Sequence, residues 1–194
     1  MKEHKNQLTA MKDFLDLLET NGIMVWLGGG WGVDFSLGKV TRPHSDIDLF
    51  IKKEDYAAVS KVISEFSHAI TLNNAQKMKF TVDGIRFDIC FFVTINGRPF
   101  VDLDEQDPYV YPMPENSFQT DTRKELLGIE AYTISWDAQF VSKQGYFHCS
   151  NKPLREKDAQ DLDIIREHLL TSLKELEELF PGVRKDALGL IPHE

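Results

Sequence analysis

Leu27-Gly28-Gly29-Gly30-Trp31-Gly32 and, after a short gap, His44-Ser45-Asp46-Ile47-Asp48-Leu49 decide how this chain is read. The apolar run Ile23-Met24-Val25-Trp26-Leu27 enters the glycines as a strand, and Trp31 to Leu37 follows as one or two helical turns closed by Gly38. Backbone N–H groups at such a strand-to-helix turn can approach and bind phosphate oxygens. A second strand is expected from Ile47 to Lys52. On it Asp46 and Asp48 project to one side, about 6.6 Å apart along the backbone, while Ile47 and Leu49 face the core. Hard oxygen ligands in that arrangement suit Mg²⁺, which is held by one or two carboxylates plus substrate phosphates.

Outward from this stretch, Leu8, Met11, Leu15 and Leu18 mark an amphipathic helix over residues 5–20, stopped at Asn21-Gly22. Tyr56, Val59, Ile63 and Phe66 mark another. Met78 to Val82 and Ile85 to Cys90 flank Asp83-Gly84, the signal of a hairpin with a type I′ turn. Asp88 lies in the middle of the second hairpin strand, where a carboxylate is costly to bury unless it faces a cation or a reacting proton. Residues 94–120, with Asn96-Gly97, four of the eight prolines and the acidic run 102–107, read as connecting loop and as the boundary between lobes. Ser135 to Gln144 and Asp158 to Phe180 read as helices. The expected architecture is α/β (α+β): a mixed-sheet lobe over 1–105 followed by a mainly helical lobe over 106–194.

Two cysteines, Cys90 and Cys149, are too few for a disulfide framework and fit a reducing cytoplasm. No apolar run approaches the ~18 residues of a membrane span, and residues 1–20 lack the continuous apolar stretch of a secretory signal, so a soluble cytoplasmic chain is expected. Lys and Arg total 22 against 31 Asp and Glu, a net charge of -9, which opposes broad attraction to a nucleic-acid backbone and favours a small cationic partner.

Gly29-Gly30, fifteen residues and then Asp46-Ile47-Asp48 resembles the signature of the nucleotidyltransferase superfamily. Trp26 to Asp34 and Arg42-Pro43-His44-Ser45-Asp46-Ile47-Asp48 resemble, more narrowly, the small antibiotic nucleotidyltransferases that modify lincosamides and aminoglycosides. Phe87-Asp88-Ile89 matches the position of that family's third carboxylate, and Ile134-Ser135 to Gly145-Tyr146 resembles a segment of the lincosamide enzymes' helical part. The resemblance is dense in the first lobe and thin between 94 and 130.

The resemblance implies transfer of a nucleoside monophosphate, AMP from ATP, to a hydroxyl of a small cationic hydroxylated molecule, with release of pyrophosphate. Asp46 and Asp48 would hold Mg²⁺, and Asp88 would take the acceptor's proton, directly or as a metal ligand. Gly29, Gly30 and the helix start at Trp31 would cradle the phosphates, with Arg42 and Lys143 as cationic contacts. His44 is expected to fix the loop by hydrogen bonding. Asp158 and Asp161, at the start of the last long helix, are explained first by capping and the helix dipole. The acidic run 102–107 is a candidate contact for a cationic acceptor. Two alternatives share the residues. One is a toxin-type nucleotidyltransferase acting on tRNA or another macromolecule, and the other is a nucleotide-binding module without catalysis.

Overall fold

The computed structural model describes residues 2–66, 69–103, 107–150 and 153–190, with side chains left undescribed at 2–4 and 146–150. Helix α1 (Lys2–Thr20) leads to strand β1 (Val25–Leu27), and α2 (Gly29–Leu37) starts two residues after that strand ends. Strand β2 (Asp46–Lys52), helix α3 (Tyr56–Phe66) and strands β3 (Ala69–Asn73), β4 (Lys77–Val82) and β5 (Ile85–Ile95) follow. Then come β6 (Arg98–Val101), β7 (Tyr109–Pro112), β8 (Lys124–Leu126) and β9 (Ile129–Thr133). Helices α4 (Trp136–Ser150), α5 (Glu156–Arg166) and α6 (Leu173–Glu177) precede a short β10 (Val183–Arg184). No helix among the described residues is long and apolar enough to cross a membrane.

Strand β5 organises a mixed sheet. One edge pairs in parallel with β2, and the other is shared by β4 over residues 85–90 and by β6 over residues 92–95. The expected type I′ turn is present, with positive φ at both Asp83 (49°) and Gly84 (80°). A second such turn at Asn96 (51°) and Gly97 (82°) joins β5 to β6, so part of the expected loop 94–120 is sheet. Its prolines disguise it: Pro99 and Pro112 sit in short strands, in a segment whose composition alone reads as loop.

The region beyond residue 105 also contributes strands. Chain β8–β9 returns beside β1, with Trp26 opposite Tyr132 in parallel register, and β10 pairs with β7. The helix expected from Asp158 to Phe180 is divided. Buried Asp137 on α4 accepts the N–H groups of Leu170 (2.9 Å) and Thr171 (3.4 Å) and the Thr171 hydroxyl (2.6 Å), which draws the backbone out of helical geometry. A capping box between Ser172 and Glu175 then restarts it.

The sheet carries a core on each face. On one, Phe14 of α1 meets the rings of Phe66, Phe80 and Phe87 at 5.1–5.3 Å, above Ile47, Leu49 and Ile51. On the other, Phe50, Phe92 and Val101 pack beneath Phe140, Leu162, Ile165 and Phe180 from the C-terminal helices.

Candidate active site

The parallel register of β2 and β5 sets Asp46 opposite Arg86 and Asp48 opposite Asp88. Antiparallel pairing of β4 and β5 sets Lys79 opposite Asp88. These side chains share the sheet face that carries Phe50, Cys90 and Phe92, because alternate residues point the same way. They open into a cleft of about 420 Å³ between that face and the helical layer, within the size range of small-molecule sites.

Cations hold two of the carboxylates. Asp46 is hydrogen bonded by Arg86 and by the Ser45 hydroxyl (3.0 Å). Lys79 Nζ lies 3.0 Å from Asp88 Oδ2, whereas Asp88 Oδ1 is buried with no hydrogen-bond partner. Burial works to raise the Asp46 pKa, but Arg86, Ser45 and nearby cations outweigh it and hold the group below the usual carboxylate range. Asp48 goes the other way. Burial, then repulsion from Asp46 and Asp88, pushes it up to about 6 against the pull of Lys143 and Lys157. Among the described residues no three acidic, His or Cys groups stand together at metal-ligand spacing, and Arg86 and Lys79 lie among the acids.

The glycine turn forms the adjoining wall. Gly28 N–H donates to the Asp48 carbonyl at 2.9 Å, which ties the turn to β2. Gly29 adopts φ +57°, and a Cβ there would collide with the Asp48 carboxylate. A Cβ at Gly30 would collide with the His44 ring. Both glycines line the cleft, whereas the Trp31 side chain is buried in the core against His44, 4.5 Å between rings.

His44 has the expected bonding role. Arg42 Nη1 lies 3.1 Å from its Nδ1 and Asp34 Oδ2 lies 2.6 Å from its Nε2. Since a guanidinium only donates, these partners assign the proton to Nε2. Arg42 and Lys143, far apart in sequence, meet on Asp161: Arg42 donates two bonds at 2.5 and 2.9 Å and Lys143 Nζ lies at 2.7 Å. Asp161 is buried, and although burial favours its neutral form, Arg42 and Lys143 keep its pKa low. The capping explanation of Asp161 therefore gives way to a buried anchor for two cleft cations. Asp158 takes Arg155 at 2.5 Å.

Several of the cleft's cations were not among the candidates that the sequence offered. Arg86 and Lys79 hold the carboxylates, and Lys77 and Lys157 line the same cleft, so a chain of net charge -9 gathers cations there. Lys79 was within reach, because the two-residue turn at Asp83-Gly84 fixes the register that pairs it with Asp88. In the acidic run, Asp102 is buried and ion-paired with Lys185 (2.8 Å) and Lys53 (3.6 Å), so it does not face a ligand. Asp104, Glu105 and Gln106 lie outside the described residues.

A family model, aminoglycoside-2''-adenylyltransferase, matches residues 10–165. The chain belongs to that family. A 2''-aminoglycoside nucleotidyltransferase of Klebsiella pneumoniae is 32% identical over 65 residues, 34% of this chain and 37% of that protein. A lincosamide resistance protein of Staphylococcus haemolyticus is 36% identical over 70 residues, 35% of this chain and 44% of that protein. The chain thus matches less than half the length of these relatives. The solution structure of the antibiotic-resistance factor ANT(2'')-Ia superposes with TM-score 0.73 at 19% identity, covering 91% of this chain and 90% of that one. The lincomycin-bound lincosamide adenylyltransferase LnuA superposes with TM-score 0.63 at 23% identity, covering 80% and 94%. The family member described here therefore has the nucleotidyltransferase fold.

Proposed function

We propose that this chain transfers AMP from ATP to a hydroxyl of a small aminoglycoside- or lincosamide-type antibiotic and releases pyrophosphate, in a Mg²⁺-dependent reaction. The observation that carries the reading is the Asp48–Asp88 pair on adjacent parallel strands, beside a glycine turn that only hydrogen atoms can fill. The relatives' names supply the acceptor class: 2''-aminoglycoside nucleotidyltransferases and a lincosamide resistance protein.

The donor set fits a hard divalent ion. Asp46 and Asp48 offer carboxylate oxygens on one face, the one or two carboxylates that such an ion takes alongside substrate phosphates. Asp46 and Asp48 would hold the ion, which when bound neutralises charge on the triphosphate. Gly29 and Gly30 line the cleft at the start of α2, where backbone N–H groups can meet phosphate oxygens, and Arg42 and Lys143, fixed on Asp161, supply positive charge nearby. Asp88, steadied by Lys79 at Oδ2 (3.0 Å) and with Arg86 Nε 3.7 Å from Oδ1, takes the proton of the acceptor hydroxyl. The hydroxyl oxygen bonds to the α-phosphorus as the bond to pyrophosphate breaks, and the pyrophosphate leaves with its electron pair.

The test incubates the protein with Mg²⁺, each of the four nucleoside triphosphates and a panel of lincosamides and aminoglycosides, read by mass spectrometry and pyrophosphate release. An AMP adduct that requires the metal is expected. Labelled nucleotide on tRNA with every antibiotic unmodified would overturn the acceptor class. Equal ATP affinity in EDTA would overturn the metal's role.

A further inference from the structure

We propose that the acceptor end of this cleft is built for a hydroxyl-bearing molecule that carries an apolar arm and no more than one amine, and that it rejects polyamines. The inference rests on the transfer reading above and narrows its acceptor. It comes from how the lining changes along the sheet.

Two residues beyond the Asp48–Asp88 pair, the same face presents Phe50 opposite Cys90. Sideways from β5, Phe92 faces Val101 and Val101 faces Tyr111. The cleft wall thus passes within one strand repeat from carboxylates to Cys90, Val101, Leu103, Tyr111 and Met113, roofed by Leu179 and Phe180. Cys90, Leu103, Tyr111 and Leu179 are only half-buried, so apolar surface remains exposed there for a ligand to cover. Burial pushes the Cys90 thiol up to about 11, which keeps it uncharged in neutral solution.

The charges point the same way. The described lining residues include four carboxylates, Asp46, Asp48, Asp88 and Asp158, against seven Lys and Arg side chains. Asp46, Asp88 and Asp158 already carry Arg86, Lys79 and Arg155. A triphosphate with its metal answers the positive excess and takes Asp48, and beyond it the described carboxylate that borders the apolar end is Asp107, which accepts the Tyr111 hydroxyl (2.9 Å). A polyamine placed there would meet Lys77, Lys79 and Arg86 and would bury ammonium groups against Leu and Phe. One amine can reach the cleft mouth, whereas several cannot all avoid the wall.

The experiment compares lincomycin, which has several hydroxyls, one amine and an apolar arm, with the polyamine tobramycin, using the full chain with Mg²⁺ and ATP. Binding of each to the protein with Mg²⁺ and a non-reactive ATP analogue is measured in parallel by calorimetry. A kcat/KM ratio of about 10² or more in favour of lincomycin is expected. Efficient transfer to tobramycin, with a ratio of one or below, overturns the inference and leaves the transfer reading standing. Preferential binding of lincomycin with transfer to neither molecule upholds the subsite and sinks the transfer reading. No preference in either measurement overturns the inference. As a second probe, Leu103→Asp at the half-exposed rim should cut lincomycin binding about tenfold and raise tobramycin binding. Leu179→Asp on the roof should do the same, with thermal melts reporting that each variant is folded. Both affinities unchanged in both folded variants also overturn it.

Discussion

The two faces of the central sheet are made by the same strands and do opposite things. Along β2, Ile47, Leu49 and Ile51 enter a dry core closed by α1 and α3, whereas Asp46, Asp48 and Phe50 look into the layer of α4, α5 and α6. Along β5, Phe87, Ile89 and Phe91 face the first layer and Asp88 and Cys90 face the cleft. The first face is sealed by aromatic contacts around Phe14. The second is left partly open, and its acids are held by lysine and arginine instead of by apolar packing. Stability is thus concentrated on one side and chemistry on the other, with β2 and β5 transmitting the rigidity of the first to the geometry of the second.

The largest expected effect lies on the open face. Asp88→Asn keeps the shape and removes the basicity, so turnover should fall about 10²–10⁴-fold with little change in melting temperature. ATP affinity measured on the same variant separates a base from a shared metal ligand, because only the latter loses affinity. On the sealed face, Phe14→Ala should cost about 3–5 kcal/mol of stability by denaturant unfolding while the folded fraction keeps its kcat. A large loss of kcat with stability intact would dissolve the division between the faces.

Gly29→Ala tests the seam between them. Its positive φ and the collision with Asp48 should cost about 1–3 kcal/mol and weaken Mg²⁺–ATP binding, readable by calorimetry and melts. The smallest effect is in pH. Asp48, with its pKa pushed up to about 6, holds a proton in the native state that the unfolded chain has shed. Stability of the metal-free protein should therefore fall as pH rises from about 4, the ordinary carboxylate value, to 6. Asp48→Asn should flatten that decline, so that its melting temperature relative to the parent is higher at pH 7 than at pH 4. Mg²⁺ affinity of the parent should rise with pH through about 6, since the ion competes with the proton.

Much of this was written locally. Period-3.6 apolar spacing marked α1 and α3, and Asp83-Gly84 fixed both the hairpin and the pairing of Lys79 with Asp88. The glycine turn announced α2, and the Asp46–Asp48 alternation announced one functional face, because backbone sterics and strand pleat act over a few residues. Tertiary structure decided what joins distant positions. The parallel register that sets Asp48 against Asp88 is made across 40 residues, and no local pattern encodes it. Asp161 became an anchor for Arg42 and Lys143 only because α5 packs over the cleft and a buried carboxylate must find cations. Asp102, acidic and loop-like in sequence, was turned inward by Lys185 and Lys53 for the same reason. Local sequence specifies which groups can do chemistry, whereas desolvation and register, which exist only once the chain is packed, select the ones that meet.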